Sequence, residues 1–235
     1  MKIGVLGNSH IGSLKKAWDL LQSEYPDKEI VFFGHRGEGL KALRLEGTRM
    51  VPGTPSLRKA IKFTSGGSEF VDTEDFDAIL IYALGAREFF LDESKFFSRK
   101  VLRQAAVDVT KHSLNSRILR DISGIYRKPI YVGHTPLPAR AKGAEDSGCE
   151  SYLKGVQFID ELIYRPMGAR FLPQPIETIV NGNSTDLSYS TGSTRLAVGD
   201  KLDNERHPEK EIVHMNEAFG SMWLKNFFAI LNADG

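Results

Sequence analysis

The sequence predicts an α/β fold in which helices cover both faces of a mainly parallel sheet. Three observations carry this. Short apolar runs recur along the chain: KIGVLG at 2–7, EIVFFG at 29–34 and DAILIYALG at 77–85. The last is apolar on both faces, as a strand buried on both sides must be. Between the runs lie stretches with helical spacing, the order expected of a parallel sheet with crossover helices. The 235 residues are 41% hydrophobic, which suits one domain spanning 1–235 with a sizeable core and one elaborated loop.

Taken in order, KIGVLG ends in glycine and reads as a buried strand. SLKKAWDLLQSEY follows with Leu14, Ala17, Trp18, Leu20 and Leu21 at helical spacing, and Ser13 is placed to cap it. EIVFFG is a second strand, and Gly37 to Leu45 reads as a short helix. Residues 47–75 mix prolines, glycines and short β-like pieces, and DAILIYALG is the strongest strand. Residues 98–126 read as one long helical stretch with Ser98 as its cap. KPIYVGHTPLP is a fourth strand running into a proline-rich loop. CESYLKGVQFIDELIYR is a further helix, and RFLPQPIETIV holds a last short strand. A long polar loop occupies about 181–213, and HMNEAFGSMWLKNFFAIL is an amphipathic C-terminal helix.

Ligands of such sheets bind outside the carboxyl ends of the strands. The turn GNSHIGS, residues 7–13, follows the first strand and lies on that edge. FGHRGEG, LGARE and GHTPLPA follow three other strands and are expected to line it too.

Bulk properties exclude several classes. A net charge of +1 does not suggest a nucleic-acid surface. The single cysteine, Cys149, excludes an intrachain disulfide framework and reads as a spare thiol. No apolar run has the length of a membrane helix, and IGVLG is too short for a signal-peptide core, so a cytoplasmic protein with no membrane partner is expected. The histidines are dispersed, with no H-x-x-x-H and no cysteine cluster, so no metal site is expected and no cofactor is required.

The turn itself admits two chemistries. Gly7, Ser9 and Gly12 have the spacing of a dinucleotide-binding G-x-G-x-x-G, and Arg36 after the second strand could hold an NADP phosphate. Ser9, however, restores a Cβ where a pyrophosphate needs bare backbone, and no acidic residue ends the second strand. Alternatively, a serine on a sharp strand-to-helix turn points its hydroxyl over the sheet edge, where the helix N-terminus favours negative charge. Ser9 could also simply cap the first helix.

A serine nucleophile needs a base. Of six histidines, His10 adjoins Ser9, but neighbouring side chains on a turn diverge. His35 and His134 follow strands, and His112 lies within a helix. His214, in EIVHMNEAFG, opens the last helix after a long loop and is the best candidate, with Glu211 three residues earlier to hold its other nitrogen. Asp200 or Asp203 are alternative acids, and His207 with Asp203 is a rival pair.

These residues carry a family likeness. GNSH at 7–10 and EIVHMN at 211–216 resemble the first and last blocks of the SGNH (GDSL-like) hydrolases, with Glu211 in place of the usual aspartate. The resemblance implies a flavodoxin-like fold, Ser9 as nucleophile and His214 as base. It also implies an oxyanion hole from the Ser9 N–H, a glycine after the second strand and an asparagine after the third. Gly37 best fits the glycine, with Gly34 as a rival. The third block departs from the pattern: it reads Gly85-Ala86-Arg87, so Arg87 is either the oxyanion donor or an ion-pair partner of Glu88 or Glu93. A lost oxyanion donor costs about 2.7–4 kcal/mol of transition-state stabilisation.

The expected function is therefore a serine esterase or acyltransferase acting on a small acyl ester of a polar, carbohydrate-like compound. Hydroxyls, Tyr189 and Arg195 in 183–195 are available to recognise it. A non-catalytic binding protein on the same fold is the alternative from another class, and an NADP-binding domain is the third.

Overall fold

The computed structural model of the chain describes residues 1–92, 95–143 and 148–234. In chain order its strands are β1 (Lys2–Gly7), β2 (Glu29–Gly34), β3 (Leu43–Glu46), β4 (Arg49–Pro52), β5 (Val71–Asp72), β6 (Ala78–Tyr82), β7 (Ile130–Gly133), β8 (Ala139–Arg140), β9 (Ala169–Leu172), β10 (Ile179–Val180) and β11 (Ser184–Asp186). The α-helices are α1 (Ile11–Leu21), α2 (Pro55–Thr64), α3 (Arg99–Lys111), α4 (Leu114–Ser123), α5 (Glu150–Ile159) and α6 (Glu217–Asp234).

The central sheet has five strands in the order β2-β1-β6-β7-β9, and every neighbouring pair is parallel. Its strands alternate strictly between two cores. Ile3, Val5, Phe32, Leu80 and Tyr131 face a layer built from α1 and α6. Leu6, Phe33, Ile79, Ile81 and Val132 face the opposite layer, built largely from α2, α4 and α5. The result is a three-layer α/β/α fold. Apolar residues on both sides of each strand force it, since either face left wet would expose a continuous aliphatic surface. The chain leaves β1 for β2 on one side and reaches β6 on the other, so the order reverses beside β1, where open α/β sheets form their ligand crevice.

α1 and α6 cross closely. A Cβ on Gly220 would collide with the Ser13 carbonyl oxygen, so glycine there sets the depth of the crossing. Two small three-stranded sheets, β3-β4-β5 and β10-β11-β8, flank the central one. Among the described residues, no helix is long and apolar enough to cross a membrane.

Several elements differ from the sequence expectation. Gly37 to Leu45 is not a helix: one 3-10 turn, Gly39–Ala42, leads into the antiparallel β3–β4 hairpin. Gly47, at φ +63°, makes the hairpin turn that helical spacing alone does not reveal. Residues 98–126 break in two: Ser98 caps α3 through the Val101 N–H, but Ser113 then caps α4 through the Ser116 N–H. Ser13 does not cap α1. It lies buried inside the helix and donates to the His10 carbonyl at 3.1 Å. α5 ends in a widened π turn, Asp160–Tyr164, which brings the buried Asp160 carboxylate to the Phe171 N–H at 2.7 Å.

Candidate active site

The first turn is shaped by what Gly7 lacks. A Cβ there would strike Ile11 Cγ2 and approach the Tyr82 carbonyl oxygen at 3.0 Å, so only glycine lets the chain fold from β1 into α1 this sharply. The turn is closed by Ile11 N–H to Asn8 O and Gly12 N–H to Ser9 O, each 3.1 Å, and by His10 N–H to Asn8 Oδ1 at 3.3 Å. Ser9 is left at the crest. Its hydroxyl makes no capping bond to α1, which starts without a side-chain cap.

The Ser9 hydroxyl instead meets His214. Oγ lies 2.9 Å from His214 Nε2, across 205 residues of sequence. His214 does not open a helix. It sits in the approach to α6, whose first turn is capped by Asn216 Oδ1 accepting from the Phe219 N–H at 3.2 Å. Asn216 also donates through Nδ2 to Ser188 O and Thr191 O, at 2.8 and 3.0 Å, which ties the loop to the residues just after His214.

Glu211 faces the other ring nitrogen. Its Oε1 stands 3.6 Å from His214 Nδ1, an ion-pair distance just longer than a hydrogen bond. The same oxygen accepts from the Val213 N–H at 2.9 Å. Burial opposes ionisation of Glu211, but that N–H and the His214 and His207 imidazoles outweigh it and hold the carboxyl below its usual range. The alternative acids are committed elsewhere. Asp200 and Asp203 both receive Arg36, and Asp203 also accepts from the Val198, Gly199 and Asp200 N–H groups.

His214 is sandwiched. His10 stacks on one face at 4.8 Å between ring centroids, His207 on the other at 4.2 Å, each pair 17° from parallel. Burial lowers the pKa of all three, bringing His10 to about 3 and His207 to about 4. Sequence reasoning set His10 aside and paired His207 with Asp203. The signal it lacked was the fold of 193–207, where Thr194 bridges Arg206 and the His207 N–H reaches Ser193 O.

The remaining expectations fare differently. Gly37 is exposed, in the left-handed region at φ +60°, and Arg87 is exposed with no ion pair among the described residues. Neither makes a hydrogen bond to Ser9 or His214. Glu93 lies outside the described residues. The Ser9 N–H donates no hydrogen bond among the described residues and stands free beside Oγ. After β6 the chain is wound unusually: Ala83, Leu84 and Gly85 have φ of 59°, 54° and 80°. Buried left-handed alanine and leucine store strain, a feature that gathers at functional edges. Asn115, fully buried, donates its N–H to Leu84 O at 2.9 Å, and its side-chain amide is unpaired under this turn.

Two other histidines, His35 and His134, have structural partners. His35 bonds Arg36 O and Ser56 Oγ. His134 is buried between Thr135 O and Tyr152 Oη, each 2.6 Å away. Arg36 is not open to a cofactor phosphate: Nε donates to Leu196 O, and the guanidinium is spent on Asp200 and Asp203. Several hydroxyls of 183–195 serve local turns: Ser188 bonds Asp186, while Ser190 and Thr191 bond Leu187 O.

No family model matches the chain, and no curated protein matches it. Among solved structures, one likeness is to the periplasmic domain of a lipopolysaccharide acetyltransferase from Salmonella ser. Paratyphi A, at 8% identity over 98% of this chain and 83% of that one, TM-score 0.48. A second is to BT4096, a gut microbial diltiazem-metabolizing enzyme, at 10% identity over 73% of this chain and 36% of that one, TM-score 0.32. A third is to a flavoprotein bound to FMN from Lactobacillus acidophilus NCFM, at 16% identity over 73% of this chain and 89% of that one, TM-score 0.26. At these identities and scores they carry no argument about chemistry, which rests on the chain's own residues.

Proposed function

We propose that the protein is a serine esterase or acyltransferase of the SGNH kind, acting on a small acyl ester of a polar, carbohydrate-like compound. One observation carries the reading: a serine on a strand-to-helix turn, uncommitted to the helix, stands 2.9 Å from the Nε2 of a histidine with a carboxylate on its far side. A helix cap or a binding hydroxyl needs no such partner. A nucleophile does.

The chemistry follows from the atoms. The Ser9 hydroxyl proton passes to His214 Nε2 as Oγ bonds to the acyl carbon, and the carbonyl π electrons move to the oxygen. The free Ser9 N–H and the positive end of α1 face that oxyanion. The tetrahedral adduct collapses, the ester C–O bond breaks, and the imidazolium returns its proton to the leaving alkoxide. Water, or a second alcohol, attacks the acyl-serine by the same route in reverse. Hydrolysis and acyl transfer thus differ only in the acceptor. Glu211 offsets the imidazolium charge, and depressed basicity keeps His214 neutral and ready at neutral pH. No cofactor enters.

Fluorophosphonate labelling of native protein, with the modified peptide located by mass spectrometry, tests this. Label on Ser9 that is lost in Ser9→Ala and falls sharply in His214→Ala supports it. Well-folded wild type that takes no label rejects catalysis and leaves a binding protein on the same fold.

A further inference from the structure

The acid of this site is a weak constraint on its base. At 3.6 Å, Glu211 does not hold His214 Nδ1 by a hydrogen bond, and that nitrogen is buried with no closer partner among the described residues. Yet Nε2 is aimed at Ser9 Oγ at 2.9 Å. Something other than the carboxylate orients the ring, and both of its faces are covered by parallel imidazoles.

The flanking rings come from the β1–α1 turn and from the loop before α6; the His207 ring is held by Ser193, while the His10 ring makes no hydrogen bond among the described residues and is placed by its backbone and by packing. His10 is the residue just before α1, half-buried, with its backbone held by Asn8. His207 is held by its N–H to Ser193 O at 2.9 Å and by Nδ1 against Ser193 Oγ at 3.2 Å. Rotation of His214 about its Cβ–Cγ bond would drive its ring edges into the two flanking rings. Near-parallel aromatic faces also favour one charge in the stack and oppose two, because a second imidazolium would lie within about 5 Å of the first.

We propose that His10 and His207 are positioning residues, clamping His214 between two neutral rings so that it meets Ser9 and alone carries the proton of the reaction. This rests on the reading of His214 as the base. The groups facing the stack are accounted for: Glu211 favours the charged form of each ring, Arg195 opposes it at His207 and His214, and Arg36 opposes it at His207. The rings stack rather than converge, and among the described residues no group of three or more is placed to hold a metal ion.

The test combines imidazole NMR titration with the pH dependence of the fluorophosphonate labelling rate, on wild type, His207→Ala, His207→Phe and His10→Phe. In wild type His10 and His207 titrate at about 3 and about 4, and His214 is the last of the three to lose its proton as pH rises. His207→Ala opens one face to water, raises the His214 midpoint by about half a pH unit or more, and slows Ser9 labelling about tenfold through lost alignment. His207→Phe and His10→Phe keep a flat neutral face and stay within about threefold of wild type. A wild-type His10 or His207 that titrates at or above His214, or a folded His207→Ala with unmoved midpoint or unslowed labelling, overturns the clamp. So does a His207→Phe variant as slow as His207→Ala. If His207→Ala does not fold, the wild-type titration and the two phenylalanine variants decide. Absence of label on wild-type Ser9 rejects the hydrolase reading instead, and the NMR midpoints still decide the stack.

Discussion

Arg36 and Asp203 meet at 2.6 Å, with the arginine side chain 16% exposed and the aspartate 19%. Through this pair, and through Arg36 Nε to Leu196 O at 2.8 Å, the turn after β2 grips the loop that carries His207 and leads to His214. The same Asp203 carboxylate folds the loop on itself by accepting from Val198 and Gly199. Half-buried, geometrically tight and hydrogen-bonded at both ends, this pair belongs to the class that contributes measurably.

Arg36→Met keeps the aliphatic stem and removes the grip. The expected result is a loss of about 2–3 kcal/mol, read as a melting temperature lower by roughly 5–10 °C, because Asp203 loses its charged partner. Ser9 labelling slows in parallel as the His207 loop loosens. NADP leaves the melting temperature of wild type unchanged, since the guanidinium has no free edge for a phosphate.

The separation of Glu211 from His214 sets a hierarchy for the proposed triad. Ser9→Ala and His214→Ala are each expected to lower turnover of a small acyl ester by about ten-thousand-fold or more. Glu211→Gln keeps the Val213 N–H contact and costs only about ten- to a hundredfold, because a carboxylate at 3.6 Å orients the ring less than one in direct contact. Steady-state kinetics on one ester separates these outcomes. A Glu211→Gln loss equal to that of His214→Ala contradicts the geometry.

Stability depends on pH through the stacked histidines. Burial holds His10 at about 3 and His207 at about 4, while both have an ordinary value of 6.5 in the unfolded chain. Below that value the unfolded state binds more protons than the folded one, so stability falls as pH falls. The contribution is fully present above about pH 6.5 and is lost through the window down to the folded values, with His10 giving a slope of up to about 1.4 kcal/mol per pH unit. Denaturant melts of wild type and His10→Phe at pH 7 and pH 5 check this. The variant loses less stability on acidification.

Tyr152 carries a different expectation. Its hydroxyl accepts from the Gln174 N–H and donates to His134 Nε2, both at 2.6 Å and fully buried, while His134 Nδ1 donates to Thr135 O. Tyr152→Phe orphans two buried groups and costs about 1–3 kcal/mol, measured by chemical denaturation. Ser9 labelling stays within about twofold of wild type, because His134 supports the loop after β7 and takes no part in the chemistry proposed here.

How much was legible follows from the kind of signal. The β1, β2, β6 and β7 strands were readable because burial on both faces leaves an unbroken apolar run. The β3–β4 hairpin was not, because four-residue strands whose register hangs on the left-handed Gly47 leave only a short, mixed pattern. The break between α3 and α4 is hidden in the sequence because Ser113 interrupts an otherwise continuous helical spacing; its side chain caps α4 and, with Ser116, donates to Thr110 O at the end of α3. At the candidate site, two short motifs at opposite ends of the chain pointed to Ser9, His214 and Glu211, which the fold brings side by side. Gly37 and Arg87 come from weaker blocks; both are exposed, and neither is hydrogen-bonded to Ser9 or His214 among the described residues.

By itself, the sequence determined the layered α/β class and the position of GNSHIGS at the carboxyl edge of the first strand. Both follow from local periodicity and from glycines that need no distant partner. Tertiary structure alone decided how closely His214 meets Ser9, that Arg36 grips Asp200 and Asp203 rather than a phosphate, and that His10 and His207 enclose His214. Those contacts join residues up to 205 positions apart. Nothing in the local pattern of either partner records the other, because only the packing of α6 against α1 and the folded 193–207 loop brings the rings together.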